Sequence, residues 1–443
     1  MSRLSVMYWL LLVGVGVVGS PLWVGCDRAS ERASEDQTPP VDDSQRLQDF
    51  DSDHYAITGA TVIDGTGSDV LEDAVLVIED GVFSSVETAD TAAIADDIDT
   101  VELDGFVIYP GLIDSHVHTG ALVVGHHRDR GGDDDTAPDD PTSRVVELAS
   151  EFTQYGVTTV RSTGDPFPWI LEARDAIADA GAGVPEVHVS GPLLTAPGGH
   201  PVATIYADNP WLREHASALL ESPDAARNIV RRLASSGADV IKVVSDDGDG
   251  RFERLDDDIL EAIVDEAGEH DLPVTAHIGD GDDARRVVDA GVDGIEHARG
   301  LDDDILESMA ASDIYYVPTL SVYDAAGDVP ADSADSVARA AELGVDIVAG
   351  SDVGNPGLRP GTSLHRELQL LVDAGLSPHQ ALVAATSTGA RILQQSGDIG
   401  TIAPGARADF AVVSNNPIDD IEYAEDIRWV LRDGRVVVDN SRP

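Results

Sequence analysis

The chain has 443 residues, and its 82 acidic and 28 basic residues give a formal net charge of −54. A surface of this charge repels nucleic acids and anionic lipids, so neither is expected as a partner. With 42% hydrophobic residues, the chain can build one barrel-sized domain and a smaller companion. Self-repulsion on this scale is best tolerated where salt screens it, which favours a salty habitat over an ordinary extracytoplasmic space.

The first 53 residues have the pattern of a leader and a linker. Residues 1–25 carry one basic residue, Arg3, before an apolar run over 6–18, as in an export signal. Cys26 is the only cysteine, which rules out an intramolecular disulfide. Its place after Val-Gly favours a lipoprotein anchored on the extracytoplasmic side over a freely secreted protein, although Trp23 is bulkier than usual there. Residues 26–53 are polar and are predicted to form a disordered tether.

The two ends of the remaining chain are rich in predicted strands. Residues 54–107 and 396–443 contain β-branched runs separated by Gly and Asp, a pattern typical of short strands and turns. We expect the two ends to pair into one small β-sandwich domain.

Residues 108–395 alternate apolar strand candidates with helical stretches. Eight such strands predict an α/β fold of the (β/α)8, or TIM, barrel class, because short apolar runs suit buried parallel strands. We expect the barrel strands at 107–118, 157–162, 186–190, 239–244, 274–277, 294–297, 315–319 and 347–352.

Polar residues that can bind metals stand at the carboxyl ends of these strands, where barrel active sites are built. Side chains at positions i and i+2 of a strand point to the same face, so a His-x-His pair can hold one ion. An isolated histidine is more often a satisfied core residue, but six such residues at successive strand ends indicate a metal centre. They are His116, His118, Lys242, His277, His297 and Asp352. Lys242 is the only lysine, retained for chemistry or left by chance.

Five motifs around these residues resemble those of the amidohydrolase superfamily. They are Pro-Gly-Leu-Ile-Asp-Ser-His-Val-His at 110–118, Val-Ile-Lys-Val at 240–243, Val-Thr-Ala-His at 274–277, Gly-Ile-Glu-His at 294–297 and Ala-Gly-Ser-Asp-Val-Gly at 349–354. The resemblance covers about residues 54–440 and is strongest to the branch of imidazolonepropionase-like amidohydrolases and zinc-dependent Xaa-Pro dipeptidases. Lys242 favours the dipeptidase group, which uses a carbamylated lysine, because imidazolonepropionase lacks this ligand.

The resemblance implies a site with two divalent metal ions and a carbamate on Lys242 between them. His116, His118 and Asp352 would bind one ion, and His277 and His297 the other. Imidazole and carboxylate ligands suit zinc and leave manganese or cobalt possible. A metal-activated hydroxide would attack the substrate, with Asp352 as general base and then acid. His200, in a loop that resembles the family's Gly-Gly-His loop, would contact the substrate or order the loop.

The expected function is therefore hydrolysis of an amide bond in a small-molecule substrate, with a prolidase-like dipeptidase favoured over other N-acyl hydrolases. One alternative is a cyclic-amide hydrolase or deaminase of the imidazolonepropionase type with one metal. Another is a metal-binding or solute-binding lipoprotein without turnover. A homo-oligomer is possible, and membrane contact is expected only through the N-terminal anchor.

Two arginines and the remaining histidines carry weaker hypotheses. Arg161 and Arg299 stand near strand ends and could each bind a substrate carboxylate, but pairing with a neighbouring acidic residue is slightly favoured for both. An insertion over 125–141, which holds two histidines, is predicted to be a solvated loop. The other histidines are expected to be structural or exposed: His188, His215, His270, His365 and His379.

Overall fold

The computed structural model describes residues 50, 52–129, 141–248 and 250–441. The predicted export signal, nearly all of the tether and most of the 125–141 insertion lie outside the described residues. Within the described ranges, no helix is both long enough and apolar enough to cross a membrane.

Both ends of the described chain build one β domain, as predicted. Its eight strands form a single sheet in the order β17-β16-β15-β5-β1-β2-β3, with β4 paired to β1. The buried rings of Tyr55, Phe83, Phe410 and Trp429 belong to a core of its own. The strands are β1 (His54–Val62), β2 (Leu71–Glu79), β3 (Val82–Thr88), β4 (Asp99–Glu102), β5 (Val107–Pro110), β15 (Phe410–Val413), β16 (Ile427–Arg432) and β17 (Arg435–Asp439).

The middle of the chain forms the predicted barrel of parallel strands. Its first seven strands are β6 (Leu112–Val117), β7 (Val157–Ser162), β8 (Glu186–Val189), β11 (Ile241–Val244), β12 (Val274–Asp280), β13 (Gly294–Arg299) and β14 (Tyr315–Val317). The Asp239 N–H donates to the Val189 carbonyl over 2.8 Å and thereby joins β8 to the start of β11. The eighth segment closes the barrel without a regular strand. Bridges join Ile347 to Tyr316 and Val353 to Val117, and backbone hydrogen bonds run to both neighbouring strands.

The structure differs from the predicted strands in three places. The segment 347–352, predicted as the eighth strand, forms isolated bridges and hydrogen bonds in place of a regular strand. The segment expected as one strand over 107–118 is two strands, β5 in the β domain and β6 in the barrel. They separate at Gly111, where a Cβ atom would lie only 2.2 Å from Thr158 Oγ1, so only glycine allows this close crossing. Two short strands that the sequence did not predict, β9 (Leu193–Thr195) and β10 (Ser217–Leu219), extend the sheet beside β11.

Helices follow most barrel strands and bury one face each. In helix α5, Ala226, Val230 and Leu233 are buried at spacings of three and four residues, and Ser222 caps the first turn. The helices are α1 (Thr119–Asp129), α2 (Pro141–Gln154), α3 (Trp169–Asp179), α4 (Pro210–His215), α5 (Pro223–Ser235), α6 (Asp257–Gly268), α7 (Gly281–Ala290), α8 (Asp303–Ala311), α9 (Leu320–Ala326), α10 (Ala331–Leu343), α11 (Thr362–Asp373), α12 (Pro378–Ala384) and α13 (Ser387–Ile392).

A charged cluster joins the barrel to the β domain. His188 of β8 has its Nε2 atom 3.1 Å from Glu186 Oε1 and its Nδ1 atom 3.8 Å from Asp239 Oδ1. Arg407, just before β15, donates to Glu186 over 2.7 Å and to Asp409 over 2.8 Å. Burial alone would lower the pKa of His188, but hydrogen bonds and charges from Asp239 and Glu186 outweigh it and raise the pKa to about 9. His188 is therefore a cation that holds two carboxylates together at neutral pH.

The His188 cluster predicts a stability that depends on pH. Because the folded-state pKa of about 9 exceeds the ordinary value of 6.5, the stabilisation is complete below 6.5 and is lost as the pH rises through 9. A shift of this size corresponds to at most about 3 kcal/mol in the free energy of unfolding. We expect His188→Gln to lower the denaturation midpoint at pH 6 far more than at pH 10, while His215→Gln, at an exposed histidine, changes neither. An equal decrease in the denaturation midpoint of His188→Gln at both pH values would contradict the assignment of a positive charge to His188.

Candidate metal centre

Four of the six predicted ligands lie close together at the carboxyl ends of the barrel strands. The Nε2 atoms of His116 and His118 are 3.3 Å apart, and Asp352 Oδ1 lies 3.5 Å from the first and 3.1 Å from the second. The His297 Nδ1 atom lies 3.8 Å from Asp352 Oδ2. Ligand atoms of His116, His297 and Asp352 all fall within 4.8 Å of one another, so these three buried residues form a candidate metal-binding group.

The other two predicted ligands flank this group. The ring centroid of His277 lies 4.5 Å from that of His297. Lys242 is 1% exposed, and its Nζ atom lies 3.7 Å from Glu296 Oε1. Because Glu296 also contacts His116, the structure brings all six predicted ligands into one connected cluster.

Two ligands sit on backbone conformations that their residue types rarely adopt. The φ angle is 72° at His297 and 57° at Asp352, in a left-handed region that is uncommon for residues other than glycine, although Asp and His enter it more readily than most. Hydrogen bonds hold the second of these in place: the Asp352 N–H donates to the His116 carbonyl over 2.8 Å, and the Ser351 N–H to Asp114 Oδ1 over 2.9 Å. These bonds therefore fix the backbone segment that carries the Asp352 carboxylate.

Glu296 is a functional residue that the sequence reasoning missed, although it stands in the quoted Gly-Ile-Glu-His motif. Its Oε2 atom makes a very short contact with His116 Nδ1, and its Oε1 atom accepts from Arg161 over 2.7 Å and from Thr275 over 2.6 Å. A carboxylate that holds Nδ1–H leaves the Nε2 atom of His116 free as a ligand. An acidic residue next to the predicted ligand His297, within a buried stretch of β13, was the available signal.

The two arginine hypotheses have different outcomes. Arg161 is fully buried and donates to the Ser115 carbonyl, the Tyr315 hydroxyl and Glu296, so it pairs with an acidic neighbour as favoured and does not reach the cleft. Arg299, at the end of β13, is exposed and has no ion pair with a described residue.

His200 contacts the cluster of predicted ligands at His277. Its ring stacks on that of His277, with centroids 4.5 Å apart and planes 16° from parallel. Burial, together with the charge of His277, lowers the pKa of His200 well below its ordinary value, so the ring is neutral at neutral pH. Asp246, a second residue that the sequence did not single out, has its Oδ2 atom 3.5 Å from His277 Nε2.

The donor set fits divalent cations. Lys242 Nζ and Asp352 Oδ1 are buried and have no hydrogen-bond partner among the described residues, which is costly unless another group satisfies them. Burial lowers the pKa of Lys242 to about 8. Burial alone would raise the pKa of Asp352, but His116 and His118 outweigh it and hold that pKa below its ordinary value. An ionised carboxylate among imidazoles is a donor set typical of zinc and related ions.

Comparison with known proteins agrees with this geometry. A model of the amidohydrolase family matches residues 107–437. The chain belongs to the amidohydrolase family. Ochratoxinase of Aspergillus niger is 27% identical over 371 residues, covering 73% of each chain. Imidazolonepropionase of Nocardia farcinica is 27% identical over 370 residues, covering 76% of this chain and 84% of the relative.

A solved structure extends the likeness to the whole fold of this amidohydrolase. The crystal structure of a Xaa-Pro dipeptidase with bound methionine superposes with a TM-score of 0.75 at 25% identity, covering 86% of this chain and 99% of that one. The predicted family is therefore confirmed, and the chain is a metal-dependent hydrolase that acts on carbon–nitrogen bonds.

The contacts of Glu296 lead to a test of metal binding. We expect Glu296→Gln to weaken the affinity of the metal-free protein for zinc by about 10–100-fold, because the neutral amide no longer fixes the ring of His116. Isothermal titration measures the affinity directly, with no need for a substrate. Glu307→Gln, at an exposed glutamate of α8, is the matched control and should bind zinc like the wild type. An unchanged affinity in Glu296→Gln would refute the role of this carboxylate.

Proposed function

We propose that this amidohydrolase cleaves the amide bond of a dipeptide or N-acyl amino acid, with a prolidase-like dipeptidase activity favoured. The observation that carries the proposal is Lys242, a buried lysine within β11 whose Nζ atom has no hydrogen-bond partner among the described residues. As a carbamate this side chain would offer two oxygens to a pair of ions. The likeness to a Xaa-Pro dipeptidase supports the same substrate class.

The six clustered residues divide into ligands for two ions in this proposal. His116, His118 and Asp352 would hold one ion, His277 and His297 the other, and Lys242 would bridge them. Zinc is the favoured metal because imidazole and carboxylate donors predominate. Such ions supply Lewis acidity at the scissile carbonyl and lower the pKa of the attacking water.

Two side chains carry the remaining chemistry. Asp352 accepts a proton from the attacking water as the new carbon–oxygen bond forms, and returns it to the nitrogen as the carbon–nitrogen bond breaks, so that the amine leaves neutral. His118 Nε2 lies 3.1 Å from Asp352 Oδ1, so the two side chains can bind the same ion. His200, stacked on His277, contacts the substrate from the loop after β9.

A second candidate is a cyclic-amide hydrolase or deaminase that uses one ion. The tight group of His116, His297 and Asp352 favours it, because these three residues alone can hold a single ion. Imidazolonepropionase is also among the relatives. The number of ions per chain separates the two candidates.

Metal content and turnover test the proposal together. We expect two ions per chain in the wild type and the loss of one ion and of activity in Lys242→Ala. Asp352→Asn should lower kcat by about 10²–10⁴-fold, the usual contribution of a general base. Full activity in Lys242→Ala would rule out the two-ion site.

A substrate screen decides between an enzyme and a binding protein. The zinc-loaded protein is assayed at low and high salt with Xaa-Pro dipeptides, other dipeptides, N-acyl amino acids and cyclic amides. Turnover of an open-chain amide supports the proposal, whereas turnover of cyclic amides alone supports the second candidate. Binding of these compounds without any turnover would favour the solute-binding alternative.

A further inference from the structure

Arg299 is an unusual cation in this acidic protein. It is exposed at the end of β13, two residues after His297, and its side chain makes no ion pair or hydrogen bond with a described residue. Acidic residues are close in the fold: Asp280 is its Cα partner on β12, and the Asp332 carbonyl accepts from the next residue along the chain, Gly300. The Asp280 carboxylate instead accepts hydrogen bonds at the start of α7. The guanidinium of Arg299 is therefore available to a ligand.

Helix α9 is fixed next to this arginine and to the metal centre. The residue before the helix, Thr319, has its Oγ1 atom 2.8 Å from His297 Nδ1. The buried Glu367 carboxylate accepts from the N–H groups of Leu320 and Ser321 over 3.0 and 2.7 Å. These contacts give the helix one position relative to the cluster of metal ligands.

Tyr323 lies on α9, about one helical turn after Thr319, whose hydroxyl contacts His297. The Tyr323 hydroxyl makes no hydrogen bond with a described residue. Burial raises the pKa of Tyr323 to about 12, the charge of Arg299 opposes the rise, and the charges of Asp352, Asp332 and Asp246 add to it. Arg299, two residues after His297 on β13, and Tyr323, four residues after Thr319, are therefore both carried by segments that contact the metal centre.

We propose that the Arg299 guanidinium and the Tyr323 hydroxyl together bind a free carboxylate of the substrate. This inference rests on the proposed amide hydrolysis and assigns its specificity to two residues. The planar guanidinium can donate two parallel hydrogen bonds to a carboxylate, and the phenol can donate a third. With a net charge of −54, the protein as a whole repels such a group, so its capture needs a local cation.

The test compares a matched pair of substrates that differ only in charge. An N-acyl amino acid that the wild type hydrolyses is paired with the carboxamide of the same compound, and both are assayed with the zinc-loaded protein. We expect Arg299→Gln to raise KM for the acid by about 10–100-fold, the range for a lost charge-assisted hydrogen bond, with little change in kcat. The KM for the carboxamide should stay unchanged. Tyr323→Phe should shift the same KM by a smaller factor.

Two other arginines serve as controls. Arg227, in helix α5, also lacks an ion pair with a described residue, and Arg227→Gln should leave both substrates unaffected. Arg359 is exposed in the loop after Asp352, near α9, where a Cβ on Gly357 would lie 3.5 Å from Ala325 Cβ. A loss of the acid preference in Arg359→Gln, with Arg299→Gln unaffected, would overturn the assignment to Arg299.

The remaining outcomes separate this inference from the proposed function. Equal wild-type rates on acid and carboxamide, or an equal loss on both in Arg299→Gln, would overturn the inference and leave amide hydrolysis standing. Failure of the wild type to hydrolyse any open-chain amide would overturn both. Thermal denaturation of each variant checks that it folds, and Tyr323→Phe, which removes one oxygen, supplies an independent reading if Arg299→Gln is unstable.

Discussion

The metal centre depends on one buried carboxylate, that of Glu296. This side chain lies on β13 and contacts His116 on β6, Arg161 on β7 and Thr275 on β12, so a single charge ties four barrel strands together beneath the ligands. Its removal would leave the buried guanidinium of Arg161 without a counter-charge. Breaking a buried ion pair in this way typically lowers the free energy of unfolding by about 3–5 kcal/mol. The same carboxylate selects the nitrogen that His116 offers to a metal. Stability and chemistry therefore rest on the same contact.

Two further buried carboxylates hold the rims of the site through backbone N–H groups. Asp114 accepts from Ser351 and so steadies the strained backbone of Asp352. Glu367 accepts from the first turn of α9 and so steadies the helix that carries Tyr323. Burial raises the pKa of Asp114 and of Glu367 to about 7 in each case. Neither carboxylate belongs to the predicted ligands, yet each fixes a segment that carries a functional side chain. The positions of Asp352 and Tyr323 therefore depend on buried residues that take no part in the chemistry.

The sequence could predict those features that local periodicity encodes. Buried parallel strands leave apolar runs, and polar residues within or next to these runs, such as Lys242 and His277, mark the catalytic face. Contacts between distant segments leave no such pattern. Glu296 and His116 are 180 residues apart, and the sequence around either residue does not predict that their side chains are in contact. The division of 107–118 into β5 and β6 depends on the close approach of Gly111 to Thr158, a tertiary contact. For the same reason, local sequence could not show that Arg161 would be paired and Arg299 unpaired.

Salt acts in opposite directions on the fold and on the inferred carboxylate site. Exposed pairs such as Arg339 with Asp303 contribute little to stability because water already screens them, so further screening by salt costs the fold little. Screening the mutual repulsion behind a net charge of −54 relieves a long-range term that acts over the whole surface. Arg299 is exposed, and its attraction for a substrate carboxylate is screened as well. High salt would therefore stabilise the folded protein while it weakens capture of the substrate, so the two properties have different optimal salt concentrations.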